Sequence, residues 1–219
     1  MIAWEQIEDV FLDMDGTLLD LHFDSYFWLE HLPTRYGEIK GVEPQAVRTE
    51  LIRRYHRMRG TLDWYCLEYW QRELAIDLLP LKLELRDKIR LRPGAQQLLA
   101  RLAASDKRVC LVSNAHRWSI ELKFSQLNLA PFFDHVCSAH DYRTPKEQQD
   151  FWHALHRQLD FDPARTLFID DNTAVLDSAR AFGIQHLLSI AKPDSAAPAQ
   201  PHQGYRLLPD FSELIAACG

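Results

Sequence analysis

The run Val10-Phe11-Leu12-Asp13-Met14-Asp15-Gly16-Thr17 constrains the fold more than any other stretch of this chain. Val10, Phe11 and Leu12 are strand formers with no polar residue between them. The strand they predict is therefore buried on both faces, as inside a parallel sheet. It ends abruptly in two carboxylates one residue apart, and Gly16 permits the tight turn by which the chain leaves the sheet. Aspartates this close repel each other unless a cation or a shared proton relieves them. A hard divalent ion with oxygen ligands suits them, and Mg²⁺ prefers few protein ligands plus substrate phosphate. An EF-hand calcium loop is excluded, because its glycine stands sixth and here it stands fourth.

Similar short apolar runs recur at Val109–Val112, Val136–Cys137, Leu167–Ile169 and Leu187–Ile190. Helical patterns lie among them at Ala95–Ala104, Trp118–Leu127, Glu147–Leu159 and Val175–Phe182. This alternation predicts an α/β fold, a Rossmann-like parallel sheet covered by helices. One interval breaks the rhythm: residues 21–92 carry helical periodicity and no parallel-strand run, and the strand–helix pattern resumes at Arg92-Pro93-Gly94. The expected organisation is a core of residues 1–20 and 93–219 with an all-helical insertion at 21–92. A length of 219 residues suits that arrangement. Pro193 to Tyr205 reads as a surface loop before a last short helix at Phe211–Ala217.

Three further strand ends carry polar residues. Ser113 and Asn114 follow Val112, where a hydroxyl and helix-start N–H groups can hold a phosphate oxygen or simply cap a helix. Thr144-Pro145-Lys146-Glu147 has the spacing of a capping box with proline at the first helical position. Lys146 there opposes the helix dipole, a conflict that a bound phosphate would remove and that a solvated lysine would tolerate. Asp170 and Asp171 follow Ile169, ahead of a helix expected to start near Asn172 or Thr173. A cap occupies one carboxylate, so a second in succession favours metal ligation.

Composition narrows the partners. A net charge of −6 lacks the basic field that phosphate-backbone binding needs, so nucleic acid is not expected as a partner. The four cysteines contain no C-x-x-C pair, which argues against a zinc knuckle or a disulfide framework. The segment Met1-Ile2-Ala3-Trp4-Glu5 lacks a signal-peptide pattern, and no run approaches the roughly 20 apolar residues of a membrane span. A cytoplasmic setting and no membrane partner are expected.

In order, Asp13-x-Asp15-Gly16-Thr17, Ser113-Asn114, Lys146 and Asp170-Asp171 resemble the four motifs of the haloacid dehalogenase (HAD) superfamily of phosphohydrolases. The insertion at 21–92 falls where that superfamily carries a helical cap. Segments Asp13–Leu21, Trp64-Tyr65-Cys66 and Thr166–Asp171 are similar to those of its bacterial purine 5′-nucleotidases. The resemblance implies a Mg²⁺-dependent phosphatase acting on purine nucleoside monophosphates such as GMP and IMP through an aspartyl-phosphate. It implies Asp13 as nucleophile and Asp15 as acid and base. Metal ligands would be the Asp13 side chain, the Asp15 main-chain carbonyl and Asp170-Asp171, with Asp171 favoured for direct contact. Ser113, Asn114 and Lys146 would bind phosphate, and the cap would select the substrate. Residues 21–92 hold ten of the 24 aromatic residues, mostly assigned to the cap's own core. Phe23, Tyr26 and Trp64 are candidates for stacking on a purine. The group Arg48, Arg53, Arg54, Arg57 and Arg59 reads as a solvated helix face, and among the histidines only His116 adjoins a motif. A sugar phosphate or phosphoglycolate substrate, or a non-catalytic binding protein on the same fold, remain open alternatives at this point.

Overall fold

The computed structural model describes residues 3–199 and 204–217. β1 (Asp9–Leu12) is buried along its whole length, as the apolar run Val10–Leu12 predicts for three of its residues, while buried Asp9 pairs with Arg108. From there the chain enters α1 (His22–Tyr26), a π-helical turn (Phe27–His31), α2 (Leu32–Lys40), α3 (Pro44–Met58), α4 (Leu62–Tyr65), α5 (Leu67–Leu74) and α6 (Leu78–Leu83). α7 (Ala95–Ala103) leads back into β2 (Arg108–Ser113). α8 (Arg117–Leu127), β3 (His135–Ser138), α9 (Ala139–Tyr142), α10 (Gln149–Leu159) and β4 (Thr166–Asp170) follow. α11 (Thr173–Phe182), β5 (His186–Ile190), β6 (Arg206–Leu208) and α12 (Ser212–Ala217) complete the described chain.

The described strands form one six-stranded parallel sheet, ordered β3-β2-β1-β4-β5-β6. Alternate residues along a strand serve opposite faces. Val10, Leu12, Leu111, Leu167 and Ile169 join the cluster containing Leu98, Leu99 and Leu102 of α7. Phe11, Cys110, Val112 and Phe168 join Phe151, Trp152 and Leu155 of α10 and Val175, Leu176 and Ala179 of α11. Each large side chain so buried contributes about 1.5–3 kcal/mol, which is why these apolar runs hold the sheet between two helical layers. The chain runs from β1 outward to β3, then crosses back to β4 beside β1. That reversal opens a crevice at the carboxyl ends of β1 and β4, where open α/β sheets take their ligands.

The stretch from His22 to Lys88 contains no strand among the described residues. It leaves and rejoins the sheet through a paired neck: Asp20 N–H donates to Arg90 O (3.0 Å) and Arg92 N–H to Leu18 O (2.9 Å). Inside it, Trp28, Tyr55, Trp64 and Trp70 pack ring against ring at centroid separations of 5.1–6.4 Å.

Several local expectations change. α10 starts at Gln149 rather than Glu147, and Thr144 forms no cap; its hydroxyl donates to Gln148 Oε1 (3.2 Å). The Glu147 carboxylate is occupied elsewhere, so it is not available to complete a box. The capping box of this region lies on α9, between Ser138 and Asp141. α8 is capped by His116, whose Nδ1 accepts from Trp118 N–H (3.4 Å), so neither Ser113 nor Asn114 serves as its cap. β6, which no expected strand covered and which follows the expected loop directly, is a three-residue edge strand with only Leu208 buried, too short and exposed to produce an apolar signature. Residues 200–203 of the expected loop and Cys218 lie outside the described residues. No helix among those described is long and apolar enough to cross a membrane.

Candidate active site

Asp13 follows β1 directly, and its N–H donates to Ile169 O of β4 (3.0 Å), which fixes it at the crevice. Asp170 ends β4 and Asp171 follows. Carboxylate oxygens of Asp13, Asp170 and Asp171 all lie within 4.8 Å of one another. Gly16 makes this packing possible. Its φ is +84°, and a Cβ there would sit 2.5 Å from Asp171 Oδ2. Asp13 is 6 % exposed and Asp170 1 %.

One cation serves this cluster. Lys146 Nζ donates to Asp13 Oδ1 (2.5 Å), Asp170 Oδ2 (2.7 Å) and Val112 O (3.0 Å), using all three of its protons. Its backbone is held on both sides by core side chains: its N–H donates to Asn114 Oδ1 (2.9 Å), and its carbonyl accepts from Trp152 Nε1 (2.9 Å). Burial works against the Lys146 ammonium, but Asp13 and Asp170 outweigh it and hold its pKa above the usual lysine value. Burial also pushes Asp13 up to about 7, opposed by Lys146 and reinforced by Asp170. Asp171 is raised well above the carboxylate range, by burial first and then by Asp170 and Asp13. It forms no ion pair among the described residues. Three carboxylates against one ammonium leave a deficit of positive charge, and the free oxygens are hard donors. The residues present fit a divalent cation.

Around Lys146 lies a second network. Asn114 Nδ2 donates to Glu147 Oε2 (2.9 Å), while Glu147 Oε1 accepts from Tyr65 OH (2.7 Å) and Asn172 Nδ2 (3.4 Å). Ser113 is buried; its Oγ accepts from Ala115 N–H (3.1 Å), which leaves its own proton to donate. Asn172 Oδ1 accepts from Ala174 N–H (3.0 Å), capping α11 where the sequence expects its start.

Asp15 is paired separately from the three clustered carboxylates. Its Oδ1 accepts from Lys123 Nζ (2.6 Å), which also reaches Asp24 Oδ2 (2.5 Å), and Asp24 Oδ1 accepts from Lys82 Nζ (2.9 Å). Burial pushes Asp15 up to about 6, with Lys123 opposing. Asp24 goes the other way despite its burial, because Lys123 and Lys82 hold it below the usual carboxylate range. Sequence reasoning missed Asp24, Lys82, Lys123, Tyr65 and Glu147. A signal existed for the lysines: Lys82 sits on the apolar stripe of Leu78, Leu81 and Leu85, and Lys123 three residues after Ile120 on α8. A charge on a buried stripe calls for a buried partner.

The three aromatic candidates lie in the helical stretch. Phe23 is buried against Lys82 and Lys123, Tyr26 lies beneath Lys88 Nζ (4.7 Å from the ring centroid), and Trp64 packs on Tyr55 (5.2 Å). Among the arginines, Arg48 pairs with Glu30 and both Arg53 and Arg54 with Glu50, at exposed positions in keeping with a solvated face. His116 Nε2 lies 3.1 Å from Glu68 of α5.

A Rossmann-like sheet with a carboxylate crevice at its switch point, one buried lysine across it and a helical insertion after the first strand defines an enzyme class. The chain belongs to the haloacid dehalogenase-like hydrolases, whose family profile matches residues 8–183. It is 39 % identical over 214 residues to the GMP/IMP nucleotidase YrfG of Escherichia coli (strain K12), covering 98 % of this chain and 96 % of that protein. Its fold is similar to that of an HAD phosphatase from Thermococcus onnurineus (TM-score 0.79, 18 % identity, 97 % of this chain and 98 % of that one). It is also similar to the magnesium-bound HAD hydrolase YfnB of Bacillus subtilis (TM-score 0.65, 18 % identity, 97 % and 99 % covered).

Proposed function

We propose that this hydrolase removes phosphate from purine nucleoside monophosphates, GMP and IMP, with Asp13 as nucleophile and Mg²⁺ as its metal. The observation that carries the reading is the shortage of positive charge among Asp13, Asp170 and Asp171, joined to near full-length similarity to a nucleotidase. Asp13, the main-chain carbonyl of Asp15, Asp170 and Asp171 would hold the ion. When bound, it supplies Lewis-acid charge that offsets repulsion between a carboxylate nucleophile and a dianionic phosphate. Asp171 is the favoured direct ligand, since Asp170 already accepts from Lys146 and from Asn172 N–H (2.8 Å).

The chain's own groups then divide the work. Asp13 attacks phosphorus and forms an aspartyl-phosphate, while Asp15 gives a proton to the departing oxygen and later takes one from water. Lys146 exchanges one of its three present acceptors for a phosphate oxygen, and the Ser113 hydroxyl donates to another. Asn114 acts through Lys146, whose N–H it holds. Residues 21–92 form a specificity cap over the core of 1–20 and 93–219. Tyr26 and Trp64, both partly exposed, are its candidates for contact with the base, whereas Phe23, also expected to stack on it, is only 1 % exposed and packs against Lys82 and Lys123 instead. Phosphate release from GMP is expected to stop with EDTA and return with Mg²⁺, and Asp13→Asn to lower kcat by about 10³-fold or more. Sustained turnover by pure Asp13→Asn protein contradicts the mechanism.

A further inference from the structure

An alternating line of charge, Asp15–Lys123–Asp24–Lys82, runs from the loop after β1, through core helix α8, into α1 and α6 of the insertion. Both lysines are nearly inaccessible, at 1 % for Lys123 and 2 % for Lys82. Phe23 lies against both ammonium groups (5.3 and 5.1 Å to the ring centroid) and Phe27 against Lys82 (4.5 Å). Stability is a poor reason for such a line, because buried ion pairs do no better than apolar replacements of the same shape. Its end at Asp15 supplies a better one. An ammonium can only donate, so the carboxyl oxygen it holds cannot present a proton to it. With Lys123 on Oδ1, the proton of a protonated Asp15 is confined to Oδ2. That oxygen has no hydrogen-bond partner among the described residues.

We propose that Lys123 is a positioning residue for Asp15: it fixes the carboxyl group through Oδ1 and confines the transferable proton to Oδ2. Asp24, anchored by Lys82, holds Lys123 in place. The assignment rests on the reading of Asp15 as the acid of phosphomonoester hydrolysis. In that step the bond from Asp13 to phosphorus forms as the ester P–O bond breaks. The departing oxygen keeps the bonding electrons and takes the proton from Asp15 Oδ2, leaving as an alcohol.

The test compares two esters by kcat/KM, which reports events only through the first irreversible step and so leaves out the later attack of water. GMP has an alcohol leaving group that needs the proton; 2,4-dinitrophenyl phosphate releases a stable anion that does not. Lys123→Met is expected to lower kcat/KM by about 100-fold for GMP and about 3-fold for the aryl ester, the difference being the acid's contribution. Lys123→Arg, which can still donate to both carboxylates, should recover part of the GMP loss. Asp24→Asn should act in the same direction as Lys123→Met by about 10-fold, and it carries the comparison if Lys123→Met does not fold by circular dichroism. Equal losses on the two esters, or an undiminished value for GMP, overturn the assignment alone. Wild-type turnover of neither ester overturns the phosphatase reading and this assignment with it.

Discussion

At the scale of single residues, the site depends on what its backbone permits. Gly16 is needed for its φ of +84° and for the space that Asp171 fills. Gly16→Ala should raise the Mg²⁺ concentration required for half-maximal activity by about 10-fold or more, in the range seen when groups supporting metal ligands are disturbed. A Mg²⁺ titration of the folded variant checks this; an unchanged midpoint removes Gly16 from the account. Lys146 is likewise positioned by its neighbours. Trp152→Phe removes a donor to Lys146 O and to Ser178 Oγ (3.1 Å), leaving two buried acceptors poorer. Urea unfolding should show a loss of about 1–3 kcal/mol. That Asp13, Asp170, Asp171, Ser113 and Lys146 stand together at strand ends was legible from sequence, because each lies at or soon after an abrupt change from apolar strand to polar turn. Glu147 was not. Its place in the chain suggested a helix cap, and only tertiary folding brings Tyr65, Asn114 and Asn172 to its two oxygens.

At the scale of elements, strands β1 to β5 followed from short apolar runs that alternate with helical patterns, and the strand-free insertion from a break in that alternation. β6 escaped because an exposed three-residue edge has almost no hydrophobic demand. Helix starts were less legible, since His116 caps α8 through a ring nitrogen and α10 begins without a side-chain cap. Contacts between α1, α6 and α8 could not be read either, because they join Asp24, Lys82 and Lys123 across long sequence separations. They predict a pH-dependent stability. Asp24 is held below its unfolded value, so its contribution is complete above an unfolded pKa of about 3.9 and fades as pH falls toward the lower native value. Asp24→Asn should therefore lose about 3 kcal/mol near pH 7, because it leaves buried Lys82 without its carboxylate and Lys123 with one of its two. The gap from wild type should be constant down to pH 5 and narrow below pH 4. Denaturant unfolding at several pH values measures it, and a gap that widens in acid contradicts the sign.

At the scale of the whole molecule, the sheet gathers acids and a lysine at one crevice, and the helical stretch reaches that crevice at separate points. Tyr65 meets Glu147 beside Lys146, His116 meets Glu68, and Asp24 meets Lys123 beside Asp15. A net charge of −6 is compatible with an anionic substrate, because part of that charge is concentrated where a divalent ion would sit. The proposed function assigns chemistry to the sheet and choice of substrate to the helical stretch, and the choice is its central claim. It is tested by kcat/KM across one panel of phosphomonoesters: GMP, IMP, pyrimidine nucleoside monophosphates, hexose phosphates and phosphoglycolate. GMP and IMP should exceed the sugar phosphates and phosphoglycolate by about 10-fold or more, the discrimination that a few well-placed contacts provide. A hexose phosphate or phosphoglycolate turned over more efficiently than either purine nucleotide contradicts the account.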